Sequence, residues 1–262
     1  MSRIAETFER LRREGKRGFI PFITAGDPDL ETTRALIVEL ARAGASIVEL
    51  GVPFSDPVAD GPTIQRSSER ALRQNVSVAD VLRLVADARR ETDVPVVLFS
   101  YYNPLMRLGV ELLAEEAARA GVDAVLVTDL VPEESGELSA ALSKHGLDQI
   151  FLVAPTSSDA RLALAAGRAS GFIYAVSRAG VTGARTGLST EAEKLVARVR
   201  AFSELPVAVG FGISTREQVA DVWRYADAAV VGSAIVSEME KHSASEKLVE
   251  HVGLFARSLL PE

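Results

Sequence analysis

Eight short apolar runs, spread along the whole chain, constrain its fold more than any other feature. Each run is six or seven residues long and almost continuously apolar, unlike the alternating pattern of a half-exposed strand. Strands of this kind are buried on both faces, which is typical of parallel sheets. The runs read FIPFIT (19–24), SIVELG (46–51), PVVLFSY (95–101), DAVLVT (123–128), QIFLVA (149–154), GFIYAVS (171–177), PVAVGF (206–211) and DAAVVG (227–232).

Amphipathic segments separate these runs and predict helices. Residues 30–43 carry apolar side chains at helical spacing, with Asp27 predicted as the N-cap and Gly44 as the stop. Ser214 and Glu217 have the spacing of a capping box and predict the start of a later helix.

The alternation of strands and helices predicts an α/β fold, a closed (β/α)₈ TIM barrel that forms one domain over residues 1–262. An extra N-terminal helix, with Ile4, Phe8 and Leu11 on one stripe, is expected to close the bottom of the barrel. The alternative is an open doubly wound sheet, which usually has a glycine-rich turn after its first strand. Here that turn reads TAGDP, which is not a dinucleotide-binding motif.

Composition excludes several classes of partner. The formal net charge of −7 argues against nucleic acid or an anionic membrane surface. No run approaches the roughly 18 apolar residues of a membrane span, and the charged N-terminal segment lacks the apolar core of a secretory signal. The cytoplasm is therefore the expected location. With no cysteine and three histidines outside the apolar runs, we expect no metal site, and acid–base chemistry falls to carboxylates.

Glu49 is the first candidate for such chemistry. It lies inside the apolar run 46–51, where no strand face is expected to contact solvent. Burial raises the pKa of a carboxyl group towards neutrality and makes it a usable general acid or base. The alternative interpretation is an ion pair between Glu49 and an arginine of a neighbouring loop.

A loop with two further carboxylates follows Glu49 directly. Residues 53–62 contain Asp56 and Asp60, each beside a proline or glycine. Both are also typical turn formers, in which the side chain accepts a hydrogen bond from its own backbone. Because the loop follows the strand of Glu49, two carboxylates in different environments are predicted above one strand, and they could divide acid and base roles.

Glycines after the last two runs predict a phosphate site. Gly212 follows the seventh run, and Gly232 with Ser233 ends the eighth. Glycine lets backbone N–H groups approach an anion closely, and barrel enzymes often bind phosphate after strands seven and eight. The alternative is a pair of tight turns.

Two further features suggest a ligand pocket. Residues 177–187 contain three glycines and little apolar content, which is typical of a mobile lid or of a passive surface loop. Large apolar and aromatic residues near the strand ends belong either to the core or to a pocket for a flat apolar ligand. They are Phe22, Phe99, Tyr101, Leu126, Tyr174 and Phe211.

Several of these segments resemble one family. The run ELGVPFSDPVADGPTIQ (49–65) is similar to the signature of the tryptophan synthase α subunit family, and four shorter motifs match the family in order. The resemblance spans nearly the whole chain, including the N-terminal helix. Phe99 departs from it, because a smaller aliphatic residue is expected there. The four motifs are PFITAGDP (21–28), YYNP (101–104), SRAGVTG (177–183) and GFGIS (210–214).

The resemblance implies a TIM-barrel lyase that cleaves indole-3-glycerol phosphate to indole and glyceraldehyde 3-phosphate by a retro-aldol step. Glu49 would handle the proton at indole C3 and the glycerol hydroxyl. Asp60 would accept a hydrogen bond from the indole N–H, and Thr182 would approach it when the lid closes. The phosphate would be bound by Gly183, Gly212, Gly232 and Ser233, and the indole would be surrounded by Phe22, Phe99, Leu126, Tyr174 and Phe211.

The resemblance also implies a partner. The α subunit normally docks on a β subunit that carries pyridoxal phosphate, in an α₂β₂ heterotetramer, and loop 53–60 and the lid resemble the parts that face it. No cofactor is expected on this chain, which has no lysine placed to hold pyridoxal phosphate. Two alternatives remain open: another phosphate-binding barrel, such as a sugar-phosphate isomerase or a synthase, and a mainly regulatory subunit.

Overall fold

All eight apolar runs form parallel strands that pair in chain order, and the last strand pairs with the first. The computed structural model describes residues 2–176, 188–210 and 212–261. The closed sheet confirms the predicted TIM barrel and rules out the open doubly wound alternative. The strands are β1 (Gly18–Thr24), β2 (Val48–Gly51), β3 (Val96–Ser100), β4 (Ala124–Val127), β5 (Asp148–Val153), β6 (Ile173–Val176), β7 (Val207–Gly210) and β8 (Ala228–Val231).

Helices surround the barrel and connect its strands. In the part of the chain that the structure describes, no helix is long and apolar enough to cross a membrane. The helices are α1 (Arg3–Arg13), α2 (Leu30–Arg42), α3 (Pro62–Leu72), α4 (Val78–Ala88), α5 (Tyr102–Leu108), α6 (Val110–Ala120), α7 (Gly136–Lys144), α8 (Asp159–Arg168), α9 (Leu188–Arg200), α10 (Arg216–Val222), α11 (Ser233–Lys241) and α12 (Leu248–Ser258), with a 3₁₀ turn, η1 (Pro132–Glu134), after β4.

The start of α2 corrects one prediction. Its N-cap is Asp29, whose side chain accepts a hydrogen bond from the backbone N–H of Thr32, and not Asp27. Asp27 is 1% exposed, and its carboxylate accepts two hydrogen bonds from Arg70 instead. The buried aspartate therefore anchors α3 to the loop after β1.

The start of α10 corrects a second prediction. The capping box is formed by Thr215 and Gln218, one residue later than the predicted Ser214 and Glu217. A glutamine at the third helical position serves a capping box as well as a glutamate does. Both sequence patterns are present, and the structure uses the second.

Alternate residues of each strand point into the barrel and fill it. Side chains along a strand alternate between its two faces, so every second residue faces the interior. A second core lies between the outer face of the sheet and the helices. The interior cluster includes Ile20, Ile47, Val97, Leu126, Ile150, Phe172, Tyr174, Ala208 and Val230.

Helix α1 closes the bottom of the barrel, as predicted. Its buried side chains Ile4, Phe8 and Leu11 belong to the interior cluster. The Phe8 ring lies 5.8 Å from that of Phe172. Arg3 donates a hydrogen bond to Asp123, which lies just before β4.

Asp123 is the centre of a buried polar network at this end. The carboxylate is 5% exposed. It accepts hydrogen bonds from Arg89 at 2.6 Å, from the backbone N–H of Val96 at 2.8 Å and from Arg3 at 2.9 Å. The network ties α1, α4 and β3 to the start of β4.

We predict that Asp123→Ala lowers the free energy of unfolding by about 3–5 kcal/mol, because Arg89 is left as a buried charge without its partner. The measurement is urea unfolding followed by circular dichroism. Arg3→Ala is the control, since the Arg3 side chain is 47% exposed and its pair is worth less than about 1 kcal/mol. Equal losses for the two variants would contradict the prediction.

Candidate active site

A cavity of about 310 Å³ opens where the strands end at their carboxyl termini. This is the end of a TIM barrel at which catalytic residues are found. Most of the residues proposed from the sequence line it, although they come from opposite sides of the barrel. They are Phe22, Glu49, Asp60, Phe99, Tyr174, Gly212, Gly232 and Ser233.

Glu49 lies at the floor of the cavity. Two residues after the interior residue Ile47, it faces into the barrel, and it pairs in register with Phe22 of β1 and Val97 of β3. It is 1% exposed, and its Oε1 has no hydrogen-bond partner among the described residues. No arginine within residues 2–176, 188–210 and 212–261 forms an ion pair with Glu49, which was the alternative interpretation from the sequence. Burial raises the pKa of Glu49 to about 8.

Asp60 has a different environment. It is half-buried at the end of the loop before α3, and the Tyr101 hydroxyl donates a hydrogen bond of 3.0 Å to its Oδ2. Burial raises the pKa of Asp60 above its ordinary value, and the hydrogen bond from Tyr101 opposes that rise because it favours the charged form. The two carboxyl groups of the cavity thus differ in how they are solvated and paired.

The side of the cavity that follows β7 and β8 is suited to bind an anion. Gly232 is the N-cap of α11 and has no side chain that could cap its first N–H groups. Ser233 is the first residue of the helix, and both residues line the cavity. Gly212 lines it too, with a φ of +75° that side-chain-bearing residues rarely adopt. A helix N-terminus with free N–H groups favours an anion such as phosphate.

Aromatic rings form the apolar wall. The rings of Phe22 and Phe99 meet edge to face, with centroids 5.2 Å apart. The Tyr174 hydroxyl lies so close to Gly210 that a Cβ there would be 2.0 Å from it. Gly210 is therefore required by the packing of Tyr174, whereas Gly212 is free to contact a ligand.

Comparisons with known proteins point to one family. The family model described as tryptophan synthase alpha chain matches residues 8–259. The tryptophan synthase alpha chain of Geobacter sp. (strain M21) is 52% identical over 259 residues, which cover 99% of this chain and 97% of the relative. That of Thioalkalivibrio sulfidiphilus is 51% identical over 244 residues, or 92% of this chain and 91% of the relative.

Solved structures agree. The crystal structure of tryptophan synthase subunit alpha from Legionella pneumophila superposes with a TM-score of 0.92 and 38% identity, covering 99% of this chain and 97% of that one. An aminoacrylate-bound tryptophan synthase from M. tuberculosis matches with a TM-score of 0.87 and 37% identity, covering 99% and 100%.

The chain belongs to the tryptophan synthase alpha chain family.

The family assignment fixes the reaction. The chain is a carbon–carbon lyase of tryptophan biosynthesis that cleaves indole-3-glycerol phosphate to indole and glyceraldehyde 3-phosphate. The family works with a β subunit, and that subunit carries the pyridoxal phosphate. The relatives share one name, which favours the lyase over the isomerase, synthase and mainly regulatory alternatives.

Four of the predicted substrate-binding residues do not lie among the described lining residues. Leu126 is fully buried in the interior cluster, where it pairs in register with Phe99 and Ile150. Thr182, Gly183 and Phe211 lie outside the described residues, as does the predicted lid 177–187. Their roles stay predictions.

Some residues that line the cavity were not assigned from the sequence. Ile64, from the first turn of α3, packs with Phe22 and Phe99. Val230 of β8 also lines the cavity. The only available signal for Ile64 was its place one turn after Asp60, and Val230 resembles every other buried valine of the strands. In the described ranges, no three His, Asp or Glu side chains converge as a metal site would need.

We predict that Glu49→Gln stabilises the folded chain more at pH 8 than at pH 6. The folded protein holds the Glu49 proton up to about pH 8, whereas the unfolded chain releases it near its ordinary value of 4.5. The wild type therefore loses stability as the pH rises between these values, and the variant lacks this contribution. The difference between the two free energies of unfolding should grow by about 2 kcal/mol from pH 6 to pH 8.

Urea unfolding of both proteins at the two pH values measures this difference. Glu69→Gln, which removes an exposed carboxylate on α3, is the matched control and should show no such change. If the free energies of unfolding of wild type and Glu49→Gln change equally between pH 6 and pH 8, burial does not raise the pKa of Glu49.

Proposed function

We propose that Glu49 and Asp60 divide the chemistry of indole-3-glycerol phosphate cleavage in this chain. The observation that carries the proposal is the buried carboxyl of Glu49, which faces the cavity and has an Oε1 without a hydrogen-bond partner in the described part of the chain. A buried polar group without a partner costs stability, so its presence in a cleft points to function. The proposal also includes the identities of the substrate-binding residues.

Glu49 acts first as an acid. Its pKa of about 8 keeps it protonated at neutral pH, so it can donate a proton to indole C3. The ring then carries positive charge at its nitrogen. The carboxylate of Glu49 next accepts the proton of the hydroxyl on the adjoining glycerol carbon, the bond between that carbon and C3 breaks, and its electron pair restores the aromatic ring. One proton enters and one leaves, so Glu49 returns to its starting state.

Asp60 stabilises the charge that develops on the ring. In this proposal Asp60 accepts a hydrogen bond from the indole N–H, and the bond strengthens as the ring becomes cationic. A fixed carboxylate in a partly buried site stabilises such a charge more than water does, because it needs no reorganisation during the reaction.

The glycerol phosphate is bound on the side that follows β7 and β8. Gly212, Gly232 and Ser233, with the N-terminus of α11, provide backbone N–H groups for the phosphate. Phe22, Phe99 and Tyr174 hold the indole between this side and Glu49. The contributions of Leu126, Thr182, Gly183 and Phe211 stay part of the proposal, as does the closing of the lid.

The chain is proposed to form an α₂β₂ assembly with the β subunit of its family and to deliver indole to that subunit. Loop 53–60 is the proposed contact region, and pyridoxal phosphate belongs to that partner. A cytoplasmic location and the action of residues 1–262 as one domain stay predictions.

We predict that Glu49→Gln lowers kcat for indole release by about 10²–10⁴-fold, because the amide can neither donate nor accept the transferred proton. Steady-state assay of indole from indole-3-glycerol phosphate measures this, and circular dichroism checks the fold. Glu69→Gln should keep wild-type turnover. Substantial residual cleavage by a folded Glu49→Gln protein would remove Glu49 from its proposed role.

We predict that Asp60→Asn loses about 10²–10³-fold in kcat, the usual cost of removing one group that stabilises transition-state charge, while binding of glycerol 3-phosphate stays within about twofold. Calorimetric titration measures the binding. Asp87→Asn, at an exposed position of α4, is the control. If Asp60→Asn instead lost glycerol 3-phosphate binding and kept its kcat, Asp60 would shape the loop and would not stabilise the transition state.

A further inference from the structure

Loop 53–60 carries Asp60 but is exposed along much of its length. Ser55, Asp56, Val58 and Ala59 are all exposed, and the Val58 residue is 86% exposed. Backbone turns within the loop, such as that from the Asp60 N–H to the Pro57 carbonyl at 3.0 Å, are local. Something outside the loop must therefore fix the carboxylate of Asp60 relative to the barrel.

Tyr101 connects the side chain of Asp60 to the barrel. It directly follows β3, is the N-cap of α5 and is 3% exposed. Its position is set by a strand on one side and a helix on the other, so its ring is held by rigid elements.

The Tyr101 side chain contacts both ends of the loop. At the far end, its hydroxyl donates to Asp60 Oδ2 at 3.0 Å and accepts the backbone N–H of Ala59 at 2.9 Å. At the near end, its ring packs against that of Phe54, with centroids 5.1 Å apart and planes inclined by 35°. One buried side chain thus fixes the start and the end of an exposed segment.

We infer that Tyr101 is the positioning residue for Asp60 in the lyase reaction, an inference that rests on the role proposed for Asp60. Because the Tyr101 hydroxyl occupies Oδ2, the carboxylate is oriented with Oδ1 left for the indole N–H. The donated hydrogen bond also favours the charged form of Asp60, because it lowers the pKa that burial raises. Tyr101 is not among the described residues that line the cavity, so its effect on the ligand passes through Asp60.

Tyr101→Phe tests this, since it removes the hydroxyl and keeps the ring against Phe54. We expect kcat to fall about 10- to 100-fold, the usual effect of a hydrogen bond to a charged group, with glycerol 3-phosphate binding within about twofold of wild type. The acid limb of the kcat/KM profile should move to higher pH, because the pKa of Asp60 rises without the donor. The control is Tyr102→Phe, which removes the hydroxyl of the neighbouring tyrosine. It should keep the kcat and the pH profile of the wild type.

Asp60→Asn provides a second test. If Tyr101 acts through Asp60, adding Tyr101→Phe to Asp60→Asn should lower kcat by less than about threefold more, because interacting residues are non-additive. Full additivity, or an unshifted pH profile, would overturn the inference. So would loss of glycerol 3-phosphate binding in Tyr101→Phe, because Tyr101 would then support the whole pocket.

The two proposals fail in distinguishable ways. An inactive Asp60→Asn beside a fully active Tyr101→Phe overturns the positioning role and leaves the role of Asp60 standing. An active Asp60→Asn overturns the proposed role of Asp60 itself.

Discussion

The burial of one carboxyl group determines how the rest of this barrel must be built. Glu49 sits among interior apolar side chains, and burial is the cause of its raised pKa. A charged group could not be held there without a partner, whereas a protonated one can. The folded barrel therefore stabilises the protonated form of Glu49, which is the form that the proposed chemistry at neutral pH requires, at a cost in stability that the two hydrophobic cores offset.

The cavity separates two kinds of electrostatic environment. Near β2 and the loop before α3, the cavity wall presents carboxyl groups and aromatic rings. Near α11, it presents backbone N–H groups and the positive end of a helix dipole. The substrate of the proposed reaction is cationic at one end and anionic at the other, so this wall favours one orientation. That orientation follows from the order of strands in the barrel, since β2 and β8 lie on the two sides of β1.

The sequence was sufficient for the fold and for the burial of Glu49, because both follow from local patterns. A strand buried on two faces has a recognisable composition, and a glutamate within it is expected to be buried too. Two observed helix caps lie one or two residues after the predicted ones, because nearby polar residues compete to be the N-cap, as Asp27 and Asp29 do. The link between Tyr101 and Asp60 could not be predicted, since it joins residues 41 apart in the chain through one hydroxyl. The burial of Leu126 below the cavity lining likewise depends on strand register, which apolar runs do not specify.

The closure of the barrel bottom by α1 has a consequence for the order of assembly. Ser2 and Arg3 bind Asp148 and Asp123, partners 146 and 120 residues further along the chain. These two contacts of α1 therefore cannot form until the segments that carry Asp123 and Asp148 exist. Contacts of such large sequence separation form late, because the entropy of closing long loops must first be overcome. Helix α1 is thus among the last elements to be fixed in place, and it closes a barrel built from strands that follow it in the chain.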